Sequence, residues 1–148
     1  MKTATLAPGL KGYPLDAEPI AAARIAERQW NALDGRLPLP LALIRRSALE
    51  HNLQWMQRFA RERGIDLAPH GKTTMSPELF KRQLDAGAWG LTFATVHQLA
   101  VGVGAGARRT LIANQVVSDA DLAALQALWR RHADLRVVFL VDSIPQLE

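Results

Sequence analysis

The 148-residue sequence contains no cysteine. That absence removes disulfides, thiolate zinc sites and cysteine nucleophiles in one step, and it fits a reducing compartment. Aromatic residues are sparse, at 6% of the chain with a single tyrosine, so no aromatic-studded basic surface can be assembled. Basic residues exceed acidic ones to give a net charge of +4, but they are spread along the chain as pairs such as Arg45-Arg46, Lys81-Arg82, Arg108-Arg109 and Arg130-Arg131. Nucleic-acid binding is not expected from that pattern. No apolar run approaches the roughly 20 residues of a membrane span, and the N-terminal MKTATLAPGLKG lacks the apolar stretch of a signal peptide. A cytoplasmic protein without a membrane partner is the expectation. What the chain does have is 49% apolar residues with 22% charged, enough to build one globular core.

The apolar residues are organised in a repeating order. Ala17 to Ala32 has helical spacing, and Pro38 and Pro40 follow it. Leu41-Ala42-Leu43-Ile44 reads as a short strand. Ser47-x-x-Glu50 matches a capping box that opens a helix with a core-facing stripe of Leu49, Leu53, Met56 and Phe59, and Gly64 sits where a left-handed cap belongs. Ile65 to Pro69 reads as the next strand, and Ser76-Pro77 as an N-cap with proline in the first turn of a helix ending near Gly87. Trp89–Ala94, Thr110–Ala113 and Leu135–Val141 are further strands; Thr95 to Val103 and Ser118 to His132 are the helices between them. Ser143-Ile144-Pro145 opens one more helical turn.

Strands that are apolar without alternation and separated by helices imply an α/β protein with a covered parallel sheet. The strand starts at Ile65, Trp89, Thr110 and Leu135 are 24, 21 and 25 residues apart, a spacing that suits a TIM (β/α)8 barrel. Four such units do not close a barrel, so the chain is expected to be the N-terminal half of one, truncated before closure. Residues 1–37 form an N-terminal helical extension on this reading, and residues 38–148 the partial barrel.

Two short motifs mislead. Gly71-Lys72-Thr73 has the ending of a P-loop, but Asp66 stands where the first glycine is required. Gly102-Val103-Gly104-Ala105-Gly106-Ala107 has the form of a dinucleotide fingerprint, yet it follows a helix and precedes a strand, the reverse of the order that motif needs. What remains is Lys72, just past the carboxyl end of a strand, where barrel enzymes place their chemistry. A lysine held there in a partly dry pocket can form a Schiff base with a carbonyl compound; an ordinary solvated loop lysine has the same sequence. His70 is open in the same way, as a base or as a hydrogen-bonded structural group.

The stretches Ala68-Pro69-His70-Gly71-Lys72-Thr73, Ser76-Pro77-Glu78-Leu79, Gly87-Ala88-Trp89-Gly90 and Ile112-Ala113-Asn114-Gln115-Val116-Val117 together resemble the N-terminal portion of the D-serine dehydratase, D-threonine aldolase and amino acid deaminase family. The similarity looks closest to the deaminases. The resemblance implies a fold of alanine racemase type, a barrel followed by a β-domain, with the strand near Leu41 pairing with that domain. It implies pyridoxal 5'-phosphate as cofactor, carried by Lys72 as a Schiff base. Asn114, Gln115 and Thr95 become candidate cofactor contacts, with Asp142 at a similar place, although an N-cap or loop role suits each equally. His70 joins Lys72 as a candidate catalytic group. The implied reaction is the deamination or dehydration of a β-hydroxy D-amino acid to a 2-oxo acid and ammonia. A retro-aldol cleavage and a non-catalytic cofactor-binding barrel are the alternatives. A divalent metal would be held through the C-terminal domain, none of its ligands being assigned in this sequence, and a homodimer is the expected assembly.

Overall fold

The computed structural model describes residues 4–147, and the chain divides into two compact units that part between Arg46 and Ser47. In the first unit, β1 (Thr5–Leu6) pairs antiparallel with β2 (Ile20–Ala21). The helix expected over Ala17–Ala32 is replaced by a shorter 3-10 helix, Ala22–Arg28. Its amino end is taken up by strand pairing, with Ala22 N donating to Ala4 O at 2.7 Å, and Gln29 turns left-handed (φ 51°) to end it. Tyr13 is buried against the edge of the Trp30 ring, the centroids 5.2 Å apart. Leu41–Ile44 forms no strand: these residues carry no ladder bonds, and Leu43 and Ile44 are exposed.

The second unit alternates helix and strand: α1 (Arg46–Glu62), α2 (Pro77–Asp85), β3 (Leu91–Phe93), α3 (Val96–Gly104), β4 (Arg109–Gln115), α4 (Asp119–Arg131) and β5 (Arg136–Leu140). The caps fall where the side chains predict them. Ser76, Thr95 and Ser118 each accept a hydrogen bond from the amide three residues on, satisfying an otherwise orphaned donor of the first turn. Gly64 is left-handed at φ 61° after α1, and Ile65 N reaches back to Ala60 O at 3.1 Å, closing the helix end. Ser47 is not the cap of α1, because the helix already includes Arg46. The inward face of α1 is also rotated from the expected stripe. Gln57 and Ala60 are buried with Leu49 and Leu53 half-buried on the same side, whereas Met56 is exposed.

The sheet is parallel in the order β3-β4-β5. One row of partners, Leu91 with Thr110 and Phe93 with Ile112, is fully buried under α3 and α4 together with Leu99, Val103 and Leu125. Burial of this kind stabilises by roughly 1.5–3 kcal/mol per large apolar side chain, which makes this layer the principal source of stability. The alternate row faces the other way: Thr92 pairs with Leu111, and Leu111 with Val138, which is half exposed. The strand expected over Ile65–Pro69 is reduced to an extended segment with an isolated parallel bridge, His70 to Thr92. Pro69 has no amide hydrogen to donate, so a regular ladder cannot run through it. Among the described residues no helix is long and apolar enough to cross a membrane.

Candidate active site

The segment before Lys72 is fastened to β3 and to Trp89 just before it by four hydrogen bonds that compensate for the interrupted ladder. Trp89 N donates to Leu67 O (2.8 Å), Thr92 N to Pro69 O (2.9 Å), and Gly71 N to Thr92 O (2.7 Å). The fourth is a side-chain bond, Thr92 Oγ1 to Ala68 O at 2.6 Å, with Thr92 only 3% exposed. Beyond Gly71 the chain turns sharply, and Met75 N donates to Gly71 O at 3.0 Å. Met75 sits at φ 46°, a conformation that costs a non-glycine residue of order 1 kcal/mol, and its side chain packs against the core. Lys72 lies at the crest of this turn. It is exposed, and among the described residues its amine has neither an ion-pair partner nor a hydrogen bond.

The other candidates stand at the carboxyl ends of the neighbouring strands. Thr95 follows β3 and is engaged as the N-cap of α3: its Oγ1 accepts from Gln98 N at 3.2 Å while Gln98 Oε1 accepts from Ala94 N at 2.9 Å. That reciprocal cap uses the hydroxyl as an acceptor and leaves its proton free. Asn114 and Gln115 end β4 in a bulge. Ile112 pairs with Phe139 and Gln115 with the very next residue, Leu140, so Ala113 and Asn114 are extra residues on that strand. A bulge bends the strand and re-aims side chains at a sheet end. Asn114 Oδ1 accepts from Gln115 N at 3.0 Å, and Gln115 Nε2 donates to Asp142 Oδ2 at 2.8 Å, tying β4 to the residue after β5. Lys72, Thr95, Asn114, Gln115 and Asp142 thus lie at one end of the parallel sheet, the end where ligands bind in α/β proteins. His70 shares the bridge row of Thr92, two residues before Lys72. No hydrogen bond joins His70 or Lys72 to the other four among the described residues.

A cleft of about 420 Å³ lined by Trp89, Arg108, Arg109, Asp134 and Arg136 lies at the opposite, amino ends of the strands. Arg108 there is occupied, bonding to Val103 O and Ala107 O and pairing with Asp134 at 3.3 Å. It lies at the end of the sheet away from Lys72. The described residues contain no cluster of three His, Asp or Glu side chains able to hold a metal ion. Sequence reasoning missed Thr92 and Gln98. The signal for Thr92 was present, a lone hydroxyl between apolar residues in Leu91-Thr92-Phe93; nothing in Ala113-Asn114-Gln115 announced the bulge.

The fold and this rim define an α/β protein with a parallel sheet and an uncommitted lysine at its carboxyl end. No family model matches the chain. It is 36% identical over 95 residues to a D-threonine aldolase of an Arthrobacter species, covering 64% of this chain and 25% of that one. It is 33% identical over 108 residues to the D-threo-3-hydroxyaspartate dehydratase of Delftia sp. strain HT23, covering 73% of this chain and 28% of the relative. The crystal structure of D-threonine aldolase from Filomicrobium marinum superposes with a TM-score of 0.69 at 34% identity, over 75% of this chain and 29% of that one. The chain is therefore a homologue of D-threonine aldolase and D-threo-3-hydroxyaspartate dehydratase, and it spans about a quarter of their length.

Proposed function

We propose that this chain carries the cofactor lysine of a pyridoxal phosphate-dependent lyase acting on β-hydroxy D-amino acids. The observation that carries the reading is Lys72 itself, an exposed amine without a partner among the described residues, on a tightly fastened turn at the ligand-binding end of a parallel sheet. The sheet is read as an arc of a barrel of alanine racemase type; its half-exposed second row, with Val138 and Leu140, is the face such a barrel turns inward. Likeness to an aldolase and a dehydratase, both named for D-configured substrates with a β-hydroxyl, supports the substrate class.

The residues at the rim fit the cofactor. A primary amine suits its aldehyde, and the amides of Asn114 and Gln115, with the free hydroxyl proton of Thr95, suit the polar atoms around its ring. Bound pyridoxal phosphate supplies an electron sink for the charge left on the substrate α-carbon. Lys72 Nζ would hold the cofactor through its aldehyde, and the same amine, when free, would be the base for the substrate α-proton. His70, next to Gly71 on the same side as Thr92, shapes the electrostatic surroundings of that amine. Loss of the β-hydroxyl as water, followed by hydrolysis of the enamine, yields a 2-oxo acid and ammonia. Deprotonation of the β-hydroxyl with cleavage of the Cα–Cβ bond yields glycine and an aldehyde instead. The first outcome is the one we propose, as a homodimer; likeness to D-threonine aldolase favours the second as the alternative reading.

The test uses the protein as its own gene encodes it. Pyridoxal phosphate is added, borohydride reduces any imine, and peptide mass spectrometry locates the pyridoxyl group. The label is expected on Lys72 and lost in Lys72→Ala. A folded protein that takes no label at Lys72 refutes the reading. Incubation with D-serine and D-threonine then separates the outcomes: ammonia with a 2-oxo acid marks elimination, glycine with an aldehyde marks retro-aldol cleavage.

A further inference from the structure

Beneath the Lys72 turn the packing is set by one aromatic ring and two glycines. Phe93 is fully buried at the end of β3, and Phe80 of α2 meets it edge-on, with centroids 5.5 Å apart and planes at 75°. Gly71 is buried directly over these rings. A methyl group there would lie 2.6 Å from Phe93 Cε1 and 2.8 Å from Phe80 Cε1, closer than carbon atoms approach. On the helix side, a methyl on Gly102 of α3 would collide with Phe93 Cζ. Gly102 opens the glycine run that imitates a nucleotide fingerprint, and this contact explains it: the residue is small so that Phe93 can fit. Neither Gly71 nor Gly102 has a left-handed backbone, so the space they leave, not their conformational freedom, is what the fold uses.

We infer that Phe93 is a positioning residue for Lys72. Its ring fills the floor under Gly71 and fixes the height of the turn. Gly71 N is held by Thr92 O from the same strand, and Met75, anchored in the core, holds the far end. The backbone bearing Lys72 is thereby clamped on three sides while its amine stays free. This inference rests on the reading that Lys72 holds the cofactor. Protein interiors are close-packed, and a lost or added methyl group in such a contact moves its neighbours.

The experiment measures how fast the pyridoxyl label appears at Lys72 after cofactor addition and borohydride quenching, a readout separate from turnover. Gly71→Ala is expected to slow labelling by about tenfold or more, since displacements near 1 Å can cost about 100-fold. Phe93→Leu removes the nearer clash and vacates space into which the Phe80 ring packed against it can retreat from the added methyl, so the double variant is expected to recover to within about threefold of the wild type. Phe93→Leu alone leaves the turn slack and is expected to label more slowly than wild type. Leu125→Ala, a buried core change on α4, serves as the control for lost stability and is expected to label at the wild-type rate. Labelling of Gly71→Ala at the wild-type rate, or a double variant no faster than Gly71→Ala, overturns the inference. If Gly71→Ala fails to fold, wild-type labelling of Phe93→Leu overturns it instead. Wild-type protein unlabelled at Lys72 overturns the cofactor reading itself, a distinct result.

Discussion

Replacing Thr92 by valine isolates the one side-chain bond that fastens the lysine-bearing segment to the sheet. Valine keeps the shape and the β-branch, so strand propensity and packing are preserved and only the hydroxyl is lost. The bond removed is short, 2.6 Å from Oγ1 to Ala68 O, and is made by a residue 3% exposed. A typical hydrogen bond contributes about 1 kcal/mol net, and a buried carbonyl left without a partner costs about 1–3 kcal/mol. Ala68 is half-buried, not fully enclosed, so water recovers part of that cost and a total near 2 kcal/mol is expected. With a urea m-value of about 2 kcal/mol/M, the unfolding midpoint falls by about 1 M with the slope unchanged. Thr92→Ser keeps the hydroxyl and loses a methyl group, so it is expected to lose about 1 kcal/mol, less than valine. Pyridoxyl labelling at Lys72 is expected to slow in valine and not in serine. A valine variant as stable as wild type, or one less damaging than serine, would show that the bond does not fasten this segment.

Two further changes test other parts of the molecule. Leu99→Ala empties a fully buried position in the layer between α3 and the sheet and is expected to lose about 3 kcal/mol in urea unfolding; a loss under about 1 kcal/mol would mean that α3 does not close the core. In the first unit, the side-chain hydrogen bond from Arg24 holds the Glu27 carboxyl below its ordinary range, with the Arg24 and Arg28 charges acting in the same direction. Because the folded-state value is depressed, the stabilisation is present above the ordinary carboxylate range and is lost as pH falls through the folded value. Both side chains are exposed, so the effect is expected to be small and screened by salt. Amide exchange across residues 22–28 should lose part of its pH dependence in Glu27→Gln, and no change on substitution would show that the pair is not formed in solution.

What the sequence revealed and what it hid follow from the range of the forces involved. Helix ends were legible because a cap is a local event: Ser76, Thr95 and Ser118 need only an amide three residues away. The parallel α/β order was legible because the strands are apolar on both sides of the pleat, even where the second row is half exposed. Elements that depend on distant partners were not. Leu41–Ile44 has the composition of a strand, but a strand exists only where another backbone offers it hydrogen bonds, and none does among the described residues. Ile65–Pro69 has a neighbour in β3, yet Pro69 removes a donor and reduces the pairing to one bridge. Met56 fits the spacing of a core-facing stripe, yet it is exposed; the stripe that faces inward holds Gln57 and Ala60, a choice that local periodicity alone does not make.

The same distinction explains how far the site could be read. Lys72 was visible because its meaning lies in its place after a strand and beside Pro69 and His70, all within a few residues. Its setting was invisible because Thr92, Phe93 and Gly102 are 20 to 30 residues away in the chain and act only through contact. Glycines here are the informative residues when asked about space instead of flexibility. Gly71-Lys72-Thr73 resembled a phosphate loop and Gly102-Val103-Gly104 a dinucleotide turn, and both readings assumed that glycine frees the backbone to approach a ligand. In the folded chain Gly71 and Gly102 both make room for the buried Phe93 ring, and Gly71 for Phe80 as well. A lysine that must present its amine at a fixed height needs a stiff floor, and an aromatic ring seated between two glycines supplies one without any polar group that would compete for the amine.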